Sequence, residues 1–191
     1  MILNDATDLR IGATGVTKVY LGSTLVWSRG EEPVITENSA TMVTSLSDID
    51  TASTYMLALS YSGTDYYLTD AKTEVTNHYH TVGTGITISS NSINDIPSNA
   101  FLFNLRNGYK MISGNTYMKV HALSLTDAGS ESDAAVFDVV SSINGYSLSY
   151  GFTLYGTYYP YYSTDTGKLY WYFIEPDNDV EKGIFRLYKL N

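Results

Sequence analysis

The sequence predicts an all-β protein. Tyrosine occurs 18 times in 191 residues, charged residues make up only 16% of the chain, and no long run has the apolar period of a helix. Tyrosine, threonine, valine and isoleucine favour strands. A further observation is a recurring apolar segment centred on a phenylalanine, which occurs at residues 99–103, 135–139 and 183–187.

This phenylalanine segment marks the end of a repeated unit. Its first two copies are followed by Asn-Gly-Tyr, at residues 107–109 and 144–146. Asn-Gly after an apolar run is a strong hairpin signal, because both residues tolerate a positive φ. The sequence therefore predicts three consecutive units, each of which ends in one copy of the segment.

Residues 1–30 are predicted to form a separate hairpin block. Residues 17–21 alternate polar and apolar side chains, a Gly-Ser turn follows, and residues 24–27 return as the partner strand. An isolated two-stranded hairpin is marginal in water, so we expect this one to dock on another surface. The side chains predicted to dock on a partner are Val19, Tyr20, Leu21, Leu25, Val26 and Trp27.

The same block resembles a short module of tailed-phage virion proteins. The resemblance is carried by residues 11–27, within which Lys18-Val19-Tyr20, Gly22 and Val26-Trp27 match the pattern of the module. This module is common in phages of gut bacteria, including the crAss-like group. The resemblance implies a virion component whose hairpin docks on the particle.

Residues 31–51 are predicted to be a linker, because they are rich in serine, threonine, aspartate and glutamate. Residues 52–191 then carry three units of about four strands each, and they resemble a β-trefoil. In that family six strands close a short barrel and three hairpins cap it. The resemblance implies that Phe101, Phe137 and Phe185 are equivalent core residues. An antiparallel β-sandwich is the alternative, since short strands with frequent turns also permit it.

Charge and composition narrow the set of partners. The formal net charge is −9, and an acidic surface repels phosphate, so we expect no nucleic-acid partner. The absence of cysteine excludes disulfides and thiolate metal sites. No stretch approaches the roughly 20 apolar residues that span a bilayer. The N-terminus lacks the pattern of a signal peptide, so we expect synthesis in a cytoplasm. The resemblance to phage proteins implies a location in the virion.

No catalytic constellation is predicted. Gly-x-Ser-x-Gly is absent, and Gly83-Thr84-Gly85 is too short for a phosphate loop. His78 and His80 share one face of a predicted strand, a spacing that can bind a metal, but no third ligand is apparent near them in sequence. We therefore expect no enzymatic activity, no cofactor and no metal site.

The third unit carries the candidate glycan-binding residues, which are Tyr158, Tyr159, Tyr161 and Tyr162. About half of the side chains in an alternating strand face outward, and exposed tyrosine rings suit sugar stacking and interfaces. The alternative is that these rings pack under a loop.

Lectins of the ricin-B type are trefoils whose units carry Gln-x-Trp. The matching positions here read Phe101-x-Phe103, Phe137-x-Val139 and Phe185-x-Leu187. Because the motif is absent at all of these positions, no lectin sugar site is assigned to this chain.

The sequence and its resemblances favour two candidate functions from different classes. The first is a non-enzymatic structural component of a bacteriophage virion, such as a capsid decoration, head fibre or tail accessory protein. Its partners would be other virion proteins in a symmetric assembly. The alternative is a carbohydrate-binding module or adhesin that binds host surface glycans through its tyrosines.

Overall fold

A computed structural model describes the backbone of residues 10–11, 14–15, 18–21, 24–28, 38–73, 77–152, 156–163, 167–173 and 182–191. The side chains before residue 38, and those of residues 107, 152, 172 and 173, lie outside this description. The chain divides into two compact units, Met1–Thr36 and Glu37–Asn191.

The first unit contains two short antiparallel pairs. Its strands are β1 (Arg10–Ile11), β2 (Thr14–Gly15), β3 (Lys18–Leu21) and β4 (Thr24–Ser28). Strand β3 pairs with β4, with Val19 opposite Trp27 and Leu21 opposite Thr24. The register shifts between Val19 and Tyr20. The hairpin that the alternating pattern predicts is therefore present.

The second unit consists of short strands. They are β5 (Ala40–Met42), β6 (Thr54–Tyr61), β7 (Thr64–Leu68), β8 (His78–Tyr79), β9 (Val82–Thr84), β10 (Thr87–Ser89), β11 (Ser92–Asn94), β12 (Phe103–Arg106), β13 (Lys110–Ser113), β14 (Thr116–His121), β15 (Ser124–Asp127), β16 (Asp138–Ser142), β17 (Gly145–Phe152), β18 (Gly156–Tyr162), β19 (Leu169–Phe173) and β20 (Arg186–Leu190). Single 3₁₀ turns occur at Leu46–Asp48, Asn107–Tyr109 and Glu131–Asp133.

The prediction of an all-β protein is confirmed. Within the described residues no helix reaches seven residues, and every strand pair is antiparallel. In this part of the chain there is also no helix with the length and apolarity needed to cross a membrane.

The strands of the second unit form two sheets. Hydrogen-bonded neighbours in the larger sheet follow the order β10-β11-β5-β20-β6-β12-β13-β14-β15-β8, and β7 pairs with both β6 and β9. The smaller sheet has the order β16-β17-β18-β19. Isolated bridges connect each sheet to a residue just before a strand of the other: Lys110 of β13 bridges to Val136, before β16, and Tyr161 of β18 bridges to Ile184, before β20.

The three repeated phenylalanines meet in one hydrophobic core, as the repeat pattern predicts. Phe101, Phe137 and Phe185 are each 0% exposed and belong to a single cluster. Trp171 lies in the same cluster, and its ring centroid is 5.3 Å from that of Phe137. The strands predicted to centre on these residues begin later than expected: Phe101 lies before β12, Phe137 directly before β16 and Phe185 directly before β20.

Strand β5 lies in the segment that the sequence places in a linker. It pairs with β20 and β11, and Val43 N donates to Leu187 O at 2.9 Å. Ala40 and Val43 are almost completely buried. Residues 38–51 therefore belong to the second unit, because distant strands bury a stretch that has little apolar character of its own.

Asp50 connects this segment to the C-terminal strand. Lys189 Nζ donates to the Asp50 carboxylate at 2.8 Å, and Ser53 Oγ donates to the same side chain at 2.8 Å. These hydrogen bonds hold the pKa of Asp50 well below its ordinary value of 3.8. The ion pair thus joins two segments that are far apart in sequence.

Candidate binding surface

Strand β18 directs its four tyrosines to two different faces. Tyr158 and Tyr162 are half-buried and pack against the main hydrophobic core. The Tyr162 ring stacks on Tyr66, with centroids 4.1 Å apart. A hydrogen bond with Tyr66, together with burial, raises the pKa of Tyr162. These two rings are therefore held by packing rather than presented to a ligand.

Tyr159 and Tyr161 lie on the opposite face of β18. The pairing of β18 with β19 places Tyr170 directly across from Tyr161, whereas the buried pair Pro160 and Trp171 occupies the inner face. All three tyrosines are half-buried, which leaves part of each ring accessible. We refer to Tyr159, Tyr161 and Tyr170 as the tyrosine face.

Gly183 supports one ring of the tyrosine face. Its backbone lies so close to Tyr161 that a Cβ atom at residue 183 would overlap the aromatic ring. Tyr162 N also donates to Gly183 O at 3.0 Å. The glycine therefore fixes where the Tyr161 ring can lie, and no alternating pattern in the sequence indicates this contact.

The tyrosine face continues into a group of histidines. The rings of Tyr170 and His80 have centroids 6.0 Å apart. His80 lies 6.4 Å from His78, and His78 lies 5.7 Å from His121, between ring centroids. We call His78, His80 and His121 the histidine cluster. Sequence reasoning found the first two and missed His121, which only the pairing of β14, β15 and β8 brings near.

His80 is the most unusual member of this cluster. Its Nδ1 and Nε2 atoms are buried and have no hydrogen-bond partner among the described residues. Burial lowers the pKa of His80, and the nearby charges of Lys168 and His78 lower it further. Among the described residues, no group of three or more His, Asp or Glu side chains could hold a metal ion.

The predicted docking residues of the first unit lie on paired strands. Val19, Tyr20 and Leu21 belong to β3, and Leu25, Val26 and Trp27 belong to β4. Their side chains lie outside the described part of the structure. Their joint role in docking stays a prediction.

Comparison with known proteins identifies no similar protein. No family model, no curated protein and no solved structure matches this chain.

Proposed function

We propose that this chain is a non-enzymatic structural component of a bacteriophage virion, namely a capsid decoration, a head fibre or a tail accessory protein. The first unit docks on the particle, and the second unit is exposed. The observation that carries the proposal is that the hairpin with phage-like residues, β3 and β4, lies in a compact unit of its own, Met1–Thr36.

The physics of a small hairpin supports docking. A pair of strands with four and five residues cannot form a core of its own in water. Burial of a large apolar side chain is worth roughly 1.5–3 kcal/mol, and six such side chains are predicted to be available here. Addition of a strand to the exposed sheet edge of a virion protein would satisfy both the backbone and these side chains.

An attachment assay tests the proposal. Particles of the phage that encodes this chain are prepared without the protein and mixed with purified variants, and the amount that sediments with the particles is measured. Full-length protein is expected to sediment with them, and residues 37–191 alone are expected to stay in solution. Trp27→Ala is expected to weaken attachment at least about tenfold.

Thr24→Ala is the matched control, because it changes a polar residue of the same strand β4. It is expected to attach as the unaltered chain does. Attachment of residues 37–191 at the level of the full chain would refute the docking role of the first unit. Melting curves of each variant show whether a loss of attachment reflects unfolding.

We further propose that Glu37–Asn191 is a β-trefoil. In this interpretation β6, β12, β13, β16, β17 and β20 are the barrel strands. Four of the six contacts that such a barrel needs are strand pairs, since β6 pairs with β12, β12 with β13, β16 with β17, and β20 with β6. The Lys110–Val136 bridge supports the contact between β13 and the strand that leads into β16. The hydrogen bond from Ser147 Oγ to Phe185 O supports the contact between β17 and β20.

Equivalent hydrogen bonds in two of the units also support the trefoil. Phe101 N donates to Leu68 O at 2.8 Å, and Phe185 N donates to Pro160 O at 2.9 Å. A crystal structure of residues 37–191 tests this fold. Superposition of the three units by a rotation of about 120° is expected, whereas two facing sheets with no such rotation would establish the sandwich alternative.

A carbohydrate-binding module is the second candidate function. The tyrosine face favours it, because partly accessible rings on neighbouring strands can stack on the apolar faces of sugars. Such binding is compatible with a position on a virion surface. The partner would be a neutral host glycan, since the acidic protein repels sialylated or sulfated ones.

Paired substitutions test this second function. On a glycan array, the double variant Tyr159→Ala with Tyr161→Ala is expected to lose binding and keep its fold. The double variant Tyr158→Phe with Tyr162→Phe, on the inner face, is the control and is expected to bind normally. Binding that survives the outer substitutions would exclude the tyrosine face as the glycan site.

A further inference from the structure

The tripeptide Asn-Gly-Tyr occurs at residues 107–109 and 144–146 and adopts a different conformation in each place. In the second copy Ser142 pairs with Gly145, and Asn144 takes the positive φ of the turn, 60°. Tyr146 then continues strand β17, where it is half-buried and packs against the main hydrophobic core. The tyrosine of this copy therefore serves the fold.

The tyrosine of the first copy lies at the end of a longer loop. The last strand pair is Arg106 with Lys110, so residues 107–109 all belong to the loop. Tyr109 has a φ of 55° and is 38% exposed, and it is the only aromatic residue with a positive φ in the described part of the chain. This conformation is unfavourable for a bulky side chain. The same three residues avoid it in the second copy, and strained positions of this kind cluster at functional sites.

A cavity of about 270 Å³ lies beside Tyr109, between the β12–β13 loop and the segment that follows the first 3₁₀ turn. Of its apolar lining residues, Leu105 is buried and Ile49 is half-buried. Its polar lining residues are exposed, so the cavity opens to solvent. Apolar walls with a few polar groups are typical of a small-molecule site. The lining residues used below are Ile49, Asp50, Thr51, Leu105, Arg106 and Tyr109.

The polar groups of the cavity differ in their availability. The carboxylate of Asp50 already accepts four hydrogen bonds, from Ala52 N, from the N and Oγ atoms of Ser53, and from Lys189 Nζ. Asp50 is therefore a wall of the cavity, because its acceptor positions are filled. Arg106 has five N–H donors and no acceptor, so its guanidinium suits a ligand with several oxygen atoms.

The charges near the cavity favour a neutral ligand. Asp50 lines the cavity itself. Burial raises the pKa of Tyr117, the charge of Glu131 raises it further, and the charge of Arg106 lowers it, so both charged groups lie near the same phenol. Carboxylates thus surround the guanidinium, and an anionic ligand would be repelled by them and by a chain of net charge −9.

We propose that this cavity binds one neutral pyranose residue of a glycan. The exposed ring of Tyr109 stacks on the apolar face of the sugar, and the guanidinium of Arg106 donates to its hydroxyl oxygens. The volume lies below the roughly 300–1,000 Å³ of sites for larger ligands, so it accommodates a single sugar ring. The site shares no residue with the tyrosine face or with the hairpin of the first unit, so each of these proposals can fail without the others.

A titration of the full-length chain, followed in ¹H–¹⁵N spectra, tests the proposal. The probes are the methyl glycosides of glucose, galactose, mannose and N-acetylglucosamine, and the signal is the backbone amide of Gly108, which lines the cavity. At least one of these probes is expected to shift the signal in a saturable way. Tyr109→Asn is expected to weaken this binding by about tenfold or more, whereas Tyr109→Phe keeps the ring and should bind normally. Arg106→Gln should weaken binding by about threefold or more.

Melting temperatures distinguish a ligand contact from a structural role of the ring. Asparagine tolerates a positive φ better than tyrosine does, so Tyr109→Asn is expected to melt at or above the temperature of the unaltered chain. Loss of binding without loss of stability supports the proposal. Loss of binding together with a lower melting temperature would assign the ring to the fold and overturn it.

The matched control is the double variant Tyr159→Ala with Tyr161→Ala, which removes two rings of the tyrosine face. It is expected to leave the titration of Gly108 unchanged, and disappearance of the shift in this variant would place the sugar on the tyrosine face instead. The proposal is also overturned if no neutral glycoside shifts Gly108 at about 50 mM, or if Tyr109→Asn binds as the unaltered chain does. Tighter binding of methyl glucuronide than of every neutral probe would overturn the assignment of a neutral ligand.

Discussion

Replacement of Phe137 by alanine probes the repeated core most sharply. The Phe137 side chain is 0% exposed, and its ring lies 5.3 Å from Trp171 and 6.0 Å from Tyr150 between centroids. The preceding residue, Val136, is 53% exposed. Two neighbouring positions in one extended segment therefore differ almost completely in burial, which makes Val136→Ala a matched control.

The expected magnitude follows from this burial. Phe137→Ala removes a fully buried ring and leaves a cavity, so it should lower the free energy of unfolding by about 3–5 kcal/mol. Val136→Ala should change the same quantity by no more than about 0.5 kcal/mol. Small domains have free energies of unfolding of about 5–15 kcal/mol, so the phenylalanine variant should still fold if the unaltered chain lies above the lower end of this range.

Urea denaturation at 15 °C, followed by tryptophan fluorescence, measures both variants. A slope near 2 kcal/mol per molar urea converts the expected loss into a midpoint lower by about 1.5–2.5 M for Phe137→Ala. The midpoint of Val136→Ala should remain within about 0.3 M of that of the unaltered chain. Equal midpoints for the two variants would refute the assignment of Phe137 to the core.

Three further predictions concern the second unit. The ion pair with Lys189 lowers the pKa of Asp50, so this carboxylate stabilises the fold above its unfolded pKa near 3.8 and loses that contribution as pH falls below this value. In a plot of the urea midpoint against pH, Asp50→Asn should therefore show a smaller decrease at acidic pH than the unaltered chain does. An equal decrease in both proteins would contradict this. Gly183→Ala should lower the free energy of unfolding by about 1–3 kcal/mol, because the new Cβ atom would overlap the Tyr161 ring. Gly151→Ala is the control, since a Cβ atom there meets no atom within 4 Å. Equal melting temperatures for the two variants would contradict the contact between Gly183 and Tyr161. Burial raises the pKa of Tyr188 to about 12, so the free energy of unfolding should fall by on the order of 2 kcal/mol as pH rises from 10 to 12. Tyr188→Phe should remove this loss, and a loss that persists in the variant would exclude Tyr188 as its source.

The local patterns of the sequence were sufficient to predict the all-β class, the first hairpin and the repeated core. Phe101, Phe137 and Phe185 could be assigned to the core because a phenylalanine between apolar neighbours recurs at the end of each unit. The hairpin of β3 and β4 could be predicted because its alternation and its turn are both local signals.

Strand β5 and His121 could not be predicted in the same way. Strand β5 is only three residues long, and its burial comes from β20 and β11, which are distant in sequence. His121 joins the other histidines only through the register of three strands, which a single sequence does not specify. The tyrosines of β18 are an intermediate case, because alternation predicts two faces but not which face lies inward.

Cryo-electron microscopy of gradient-purified phage particles tests the central claim most directly. The proposal of a virion component predicts density for this protein at symmetric positions on the capsid or tail. The hairpin of Met1–Thr36 should lie against a particle protein, and Glu37–Asn191 should project outward. Particles that contain none of this protein, by density and by mass spectrometry of the same preparation, would contradict the claim.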